Sequence, residues 1–301
     1  MYRIIQKRNY LFGLSLILLI PGIVGFAIWG LRLGIDFTGG SLVRLNFAST
    51  PPSAQVVQDV ATQAGLQSVI VQETGDHGLT VRTEAMSNEQ RTKFLEQLQS
   101  KDVTTVQESF ESIGPTIGNE LKRKAITATA IVLLIIVLYI TWAFRRVSSG
   151  PVPSWVYGVC AIVALVHDLF MVVGVFAIFG HFYGIEIDAL FVTALLTVLG
   201  FSVHDTIVVY DRIRERLISA AGKTFEDVVN ESLNQTMIRS INTSMTALLI
   251  LTSLFLFGGE TIRNFVLALL IGIASGTYSS IFVAAPLLVI WHNWKLKKRV
   301  V

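Results

Sequence analysis

The sequence predicts an α-helical membrane protein with six transmembrane helices and a small α+β, ferredoxin-like extracytoplasmic domain between helices 1 and 2. Hydrophobic residues make up 52% of its 301 residues and charged residues only 15%, whereas soluble domains carry about 25% charged residues. Several apolar runs reach the ~20 residues that a helix needs to cross a bilayer. One long polar stretch, 32–123, separates the first of these runs from the others.

Six apolar segments are long enough to span the membrane. Four of them, 10–31, 125–144, 240–259 and 264–291, contain no Asp, Glu, Lys, Arg or His, and the other two, 152–179 and 189–210, each hold a His-Asp pair. No small-residue cleavage site follows the first run, so we expect it to be a retained anchor rather than a signal peptide. The predicted parts are a cytoplasmic N-terminus with the first helix (1–31), the outer domain (32–123) and a five-helix bundle (124–301).

Basic residues recur in alternate connections, and such residues are retained on the cytoplasmic side. Both termini are therefore expected in the cytoplasm. The basic residues at 122–124 would lie on the outer side, against this rule. A large preceding domain, however, is translocated largely regardless of charge. The basic residues that set the orientation are Arg3, Lys7, Arg8, Arg145, Arg146, Arg212, Arg214, Arg216, Lys223, Lys295, Lys297, Lys298 and Arg299.

The polar stretch between the first two spans has the pattern of one small domain. Apolar and polar residues alternate over 41–47, as in a half-buried strand. Helical stretches at 53–64 and 87–99, apolar runs at 68–71 and 79–82, and a last strand at 103–110 complete the order strand, helix, strand, strand, helix, strand. This order is the split βαβ, or ferredoxin-like, arrangement. Ser53 and Ser87 are the predicted N-caps.

Ionisable residues inside a span are costly and usually mark an ion or proton path. Asp205 is the leading candidate, because it lies six residues before Asp211, where the fourth span ends. At 1.5 Å per residue this places it roughly 9 Å inside the span, where a carboxylate can bind and release a proton. Thr206 follows it directly. The residues alone also allow a structural carboxylate held by hydroxyl groups.

The fifth span carries a polar stripe. Arg239, Asn242, Thr243, Thr246 and Ser253 fall on one helical face. Since the fourth span runs inward and the fifth outward, Arg239 enters the membrane on the side near Asp205, and the two pair if their helices touch. A pair that protonation weakens would couple proton flow to a conformational change. Arg239 as a snorkelling anchor is the alternative.

Three further features lie in or near the spans. His204 points about 100° away from its neighbour Asp205, and aligns instead with 193, 197 and 200. For the adjacent His167 and Asp168 in the third span, relay and structural roles are both open. A small-residue stripe on the sixth span (272, 275, 276 and 279) predicts close helix contact, and 224–235 predicts a short cytoplasmic amphipathic helix at the membrane surface.

Three segments resemble motifs of the SecD/SecF family of protein-export proteins. Residues 200–215 (GFSVHDTIVVYDRIRE) are similar to its fourth-span signature. Residues 34–40 (GIDFTGG) follow the first span as the family's glycine motif does. The triplet 234–236 (NQT), followed by Arg239, looks like its fifth-span motif. Together with six spans and one outer domain, the resemblance covers essentially the whole chain.

The resemblance implies an accessory role in protein export across the bacterial plasma membrane, driven by the proton gradient. It implies SecD as a pseudo-symmetric partner, association with the SecYEG channel, and a preprotein as substrate, besides membrane lipids. It also implies that Asp205 and Arg239 are central to proton transport. Many relatives carry Asn at the position of His204, which questions a universal role for that side chain.

Other classes are less well supported by the sequence. No nucleotide-binding loop, nucleophile motif or metal-ligand cluster is apparent, so we predict neither an enzyme nor a cofactor or metal site. The net charge of +3 is too small to indicate nucleic-acid binding. The alternatives are a resistance-nodulation-division exporter of lipids or drugs, a related class, and a purely structural translocon subunit that has no need of Asp205 and Arg239.

Overall fold

The computed structural model describes residues 2–47, 51–74, 77–100, 105–145, 151–219 and 222–300. The chain divides into two compact units, Met1–Arg32 with Thr127–Val301, and Leu33–Ile126. In the described residues the elements are α1 (Arg8–Trp29), α2 (Ile35–Thr38), β1 (Gly40–Phe47), α3 (Ala54–Gln63), β2 (Ile70–Thr74), β3 (Gly78–Thr83), α4 (Asn88–Gln99), β4 (Thr105–Ile113), α5 (Pro115–Ala143), α6 (Ser154–Tyr183), α7 (Ala189–Ser219), α8 (Phe225–Phe257), α9 (Glu260–Ser279) and α10 (Ala285–Val300).

Six helical segments in the described chain are long and apolar enough to cross a membrane, as predicted. They are α1 with the 3₁₀ turn before it, α5, α6, α7, α8, and α9 continued into α10. A π-helical turn, Ser280–Ala284, joins α9 to α10. Several helices run beyond the predicted spans, into residues outside the apolar runs. Arg146 of the predicted inner cluster lies outside the described residues.

The segment 224–235 is not a separate helix. It forms the first turns of α8, which continues without a break to Phe257. The prediction of a short helix at the membrane surface is therefore wrong. The predicted start is correct: the Thr224 hydroxyl accepts a hydrogen bond from the backbone N–H of Asp227 at 3.2 Å, and such a cap satisfies a free donor of the first helical turn.

The unit Leu33–Ile126 contains its elements in the predicted order. Its sheet has the strand order β2-β3-β1-β4, and all three pairings are antiparallel. Val43, Leu45 and Phe47 of β1 are buried, as the alternation predicts. Ser87 forms a capping box with Gln90, whereas Ser53 precedes α3 without a side-chain capping bond. The predicted strand start at 103 lies outside the described residues.

The glycine motif forms a turn that only glycine fits. Gly39 and Gly40 have φ angles of 75° and 122°, which side chains rarely adopt. A Cβ on Gly39 would lie 2.7 Å from the Pro115 Cα, and one on Gly40 would lie 2.6 Å from the Thr83 carbonyl oxygen. The motif therefore lets the chain pass from α2 into β1 against the start of α5.

Small residues bring the membrane helices into backbone contact. On α9, a Cβ on Gly276 would lie 2.8 Å from the Ser202 Cβ, and one on Gly272 would meet the Val198 side chain. This confirms the predicted contact stripe, and the partner of its two glycines is α7. Without Cβ atoms the two helices approach closely, which dispersion contacts then stabilise.

Candidate functional site

Asp205 lies inside the bundle on α7, with 3% of its surface exposed. Its carboxylate faces Ser240 and Ser244 of α8. Within the described part of the chain, Asp205 Oδ2 and Ser240 Oγ are both buried without a hydrogen-bond partner. The adjacent Thr206 is buried too, but its hydroxyl donates to the Ser202 carbonyl oxygen of its own helix. Asp205 is thus a carboxylate with an open acceptor oxygen at the α7–α8 contact.

Arg239 does not pair with Asp205. Helices α7 and α8 pack together, yet no ion pair joins these two side chains among the described residues. Arg239 is exposed and lines a polar cavity of about 410 Å³, together with Asp211, Glu215 and Gln235. The predicted partners therefore lie on two different faces of the α7–α8 pair.

The polar stripe of α8 faces outward. Asn242, Thr243 and Thr246 are exposed, and the two Thr hydroxyls donate only to carbonyl oxygens one turn back on α8. His204 is exposed too, as are the residues predicted to share its face, Thr193, Thr197 and Gly200. Two neighbouring helices of this unit thus present polar side chains that the described chain does not cover.

A second carboxylate, Asp168 on α6, is fully buried and saturated with hydrogen bonds. Its Oδ1 accepts from Ser275 Oγ at 2.7 Å and from His167 Nδ1 at 3.1 Å. Its Oδ2 accepts from Ser202 Oγ and Ser279 Oγ, both at 2.6 Å. Asp168 thus connects α6 with α7 and α9.

His167 extends this cluster to α1. Its Nε2 lies 2.7 Å from Ser15 Oγ, and its ring stacks on Tyr278, with centroids 6.5 Å apart. The Tyr278 hydroxyl in turn donates to the Leu11 carbonyl oxygen at 2.7 Å. The predicted pair His167 and Asp168 therefore bonds side chain to side chain, although adjacent residues on a helix diverge by about 100°.

The NQT motif lies near the start of α8, in a group of amide side chains that we call the amide clasp: Asn230, Asn234 and Gln235. Asn230, one turn before it, accepts hydrogen bonds from the backbone N–H groups of Ile4 and Ile5 at 2.9 and 3.3 Å. Asn234 donates to the Tyr2 carbonyl oxygen at 2.8 Å. Gln235 accepts from Arg212 Nε on α7 at 2.7 Å. These amides fix α8 against the start of the chain and against α7.

Sequence reasoning missed several hydroxyl groups of the site. Ser202, Ser240 and Ser244 carry no charge and occur at ordinary helical positions, so their roles are visible only once their helices are packed. Spacing was the available signal, since Ser240 and Ser244 lie four residues apart and share one face. No group of three or more His, Cys, Asp or Glu side chains in the described ranges is placed to hold a metal ion.

The fold and the buried carboxylates define a multi-pass membrane protein with acidic residues inside its helix bundle. Two family models match the chain, one for the C-terminal part of the protein export membrane proteins SecD and SecF over residues 93–294 and one for the SecD/SecF GG motif over residues 26–51. Relatives named protein translocase subunit SecF from Thermobaculum terrenum and Anaerolinea thermophila are 47% and 45% identical, each over 97% of this chain and 95% of the relative. The chain therefore belongs to the SecD/SecF family, and within it to the SecF protein translocase subunits of bacterial membranes.

Solved structures agree with this assignment. The crystal structure of SecDF, a translocon-associated membrane protein from Thermus thermophilus, is similar with a TM-score of 0.84 and 32% identity, covering 97% of this chain and 39% of that chain. A structure of SecDF in a super-membrane-facing form gives a TM-score of 0.71 at 30% identity, covering 99% of this chain. The chain thus spans about two fifths of the length of these SecDF chains.

Proposed function

We propose that the chain is a proton-motive-force-coupled accessory subunit of the Sec translocase, which assists preprotein export together with SecD at the SecYEG channel. The observation that carries this proposal is Asp205, a buried carboxylate on a membrane helix with an open acceptor oxygen. A side chain of this kind is costly unless it has a function. A proton that binds there removes a charge from the α7–α8 contact and so changes how the two helices interact.

The exposed polar face of α8 supports a second membrane subunit as partner. Asn242, Thr243 and Thr246 would face hydrocarbon if this chain were alone in the bilayer, which is unfavourable for polar side chains. A partner with polar groups of its own would cover them, and SecD, the other protein named in the similar SecDF chains, is the proposed occupant. Arg239 would then lie between the subunits, within reach of a partner carboxylate.

The proposed orientation has both termini in the cytoplasm. At the helix ends that this orientation places in the cytoplasm, aromatic rings pair with cations. Arg145 lies 4.5 Å above the ring of Trp142, and Lys298 lies 4.1 Å above the ring of Trp294. Trp with Lys or Arg is typical of a membrane interface, and basic residues favour its inner side. The unit Leu33–Ile126 would then be a ferredoxin-like extracytoplasmic domain available to an emerging preprotein.

The proton-coupling part is tested by preprotein export into vesicles that contain this chain, SecD and SecYEG. Asp205→Asn removes the charge but keeps the shape, and we expect it to abolish the stimulation of export by the proton gradient while the complex still assembles. The matched control is Asp211→Asn on the same helix, where the side chain is exposed and paired with Arg214. Unchanged stimulation in Asp205→Asn would favour the purely structural subunit.

The partner is tested by cysteine cross-linking. Cys160 is buried and is the single cysteine of the sequence. Cys160→Ala therefore gives a background without thiols. Thr246→Cys on the polar face should cross-link to SecD carrying a cysteine on its facing helix. Ile131→Cys on α5 is the control, because that position is also exposed but apolar. Equal cross-linking at both positions would contradict a specific interface at α8.

A further inference from the structure

We propose that Asp168 is a positioning residue, a carboxylate that stays ionised and holds α7 in register against α9 so that Asp205 faces α8. The inference rests on the proposed function, since it assigns different roles to the two buried carboxylates. Asp205 would bind and release the proton, and Asp168 would fix the helix that carries it. The sequence left a relay role and a structural role for Asp168 equally open.

The hydrogen-bond inventory supports a fixed charge on Asp168. An ionised carboxylate only accepts hydrogen bonds, and its two oxygens offer about four sites. All four are filled by donors at 2.6 to 3.1 Å, from Ser202, Ser275, Ser279 and His167. A proton on Asp168 would reverse one of these hydrogen bonds, because a group that now donates to the carboxylate would have to accept. Asp205 differs, because its Oδ2 has no partner among the described residues.

His167 belongs to the inventory through both ring nitrogens. Its Nδ1 lies 3.1 Å from Asp168 Oδ1, and its Nε2 lies 2.7 Å from Ser15 Oγ. In the tautomer with the proton on Nδ1, His167 donates to Asp168 and the Ser15 hydroxyl donates to Nε2, so each of these polar groups has a partner. The other titratable side chain against the cluster is Tyr278, which stacks on the His167 ring.

The connection from Asp168 to Asp205 runs through one helix turn. Ser202 lies three residues before Asp205, so the two residues lie on neighbouring turns of the same side of α7. Ser202 also lies against Gly276 of α9, whose missing Cβ permits the contact. Release of the Ser202 hydroxyl from Asp168 would therefore free α7 at the turn next to the proton-binding carboxylate.

A second attachment lies on the other side of Asp205. The Tyr210 hydroxyl donates to the Ala284 carbonyl oxygen at 3.2 Å, at the end of the π-helical turn Ser280–Ala284. The α7 helix is thus attached to the last span both before and after Asp205. A two-point attachment fixes the rotation of α7 about its axis, which decides whether Asp205 points toward Ser240 and Ser244.

The first test compares two serines that donate to the same oxygen of Asp168. Ser202→Ala detaches α7 from Asp168, whereas Ser279→Ala detaches only α9. Gradient-driven export is measured against pH in vesicles that contain the SecD complex. We expect Ser202→Ala to change the proton concentration at half-maximal stimulation by about threefold or more, as the loss of a charge-assisted hydrogen bond next to the titrating group predicts. Ser279→Ala should change it less.

The second test determines the charge of Asp168 directly. Infrared spectra of the same complex in lipid are recorded across a pH titration for wild type, Asp168→Asn and Asp205→Asn. We expect Asp205→Asn to remove a carboxyl band that titrates, and Asp168→Asn to remove only the band of an ionised carboxylate. This readout does not need transport activity.

The two tests separate the possible failures. If Asp205→Asn leaves gradient-driven export intact, the proposed function fails, and the infrared titration still decides the charge of Asp168. If Asp168→Asn removes a titrating band, or Ser202→Ala has the pH profile of wild type, the positioning role is wrong. Size-exclusion chromatography of each variant with SecD identifies any variant that fails to assemble, and Ser279→Ala then shows whether loss of a buried hydroxyl alone is responsible.

Discussion

Gly276→Ala should separate α7 from α9 and weaken the bundle. The new methyl carbon would lie 2.8 Å from the Ser202 Cβ and 3.3 Å from its Cα, whereas carbon atoms pack best at about 3.5–4.0 Å. The helices must therefore move apart by roughly 1 Å, or the chain must deform elsewhere. Overpacking of this kind costs about 1–3 kcal/mol.

The same movement acts on the buried carboxylate. Ser202 Oγ lies 2.6 Å from Asp168 Oδ2, and a displacement of about 1 Å takes this pair beyond hydrogen-bond distance. A hydrogen bond to a charged group contributes about 1.5–3 kcal/mol. We therefore expect Gly276→Ala to lower the free energy of unfolding by at least about 2 kcal/mol, although alanine is the better helix former.

The assay is thermal unfolding of the purified chain in detergent, followed by intrinsic fluorescence. Gly200→Ala is the matched control, because it lies on α7 near Ser202 but a Cβ there meets nothing within 4 Å. It should unfold at or above the wild-type temperature. Equal unfolding temperatures for Gly276→Ala and wild type would show that the α7–α9 contact is not as close as argued here.

Two further predictions concern the clasp and the glycine turn. Asn230→Ala removes the acceptor of two N–H groups at the start of the chain. Hydrogen exchange of these two amides should become faster, because the loss of a comparable helix cap costs about 0.5–2 kcal/mol of stability. Unchanged exchange would contradict the clasp. Gly40→Ala should destabilise the unit Leu33–Ile126 by about 1–3 kcal/mol, because its φ is 122°, and urea-dependent proteolysis of the full chain measures this. Gly114→Ala, with open space at its Cβ, should be near wild type.

The spans and the sequence of strands and helices along the chain could be predicted because each depends on a local pattern. Apolar length identifies a membrane helix, and alternation over Val43, Leu45 and Phe47 identifies one face of β1. Each pattern can be recognised within one short segment of the sequence. The extension of α8 back to Phe225 was missed because its first turns are polar, and a helix can leave the apolar layer without ending.

The candidate site was predicted only in part, since helical spacing shows which residues share a face but not where that face points. Arg239 and Asn242 do share a face, as predicted, but it points out of the unit, and Asp205 faces Ser240 and Ser244 instead. The direction is set by contacts with other helices. These depend on small residues such as Gly276, whose partner on α7 no local pattern specifies.

The amide clasp on α8 has a consequence for synthesis of the chain. The backbone N–H of Ile4 is bonded to a side chain 226 residues later in the sequence. At about 5–20 residues per second, a ribosome needs roughly 10 to 40 s to reach that residue after the first helix has been made. During that time the first turn of the chain lies in the membrane interface without its final hydrogen-bond partner. The last assembly step at this end can therefore begin only after α8 has been synthesised.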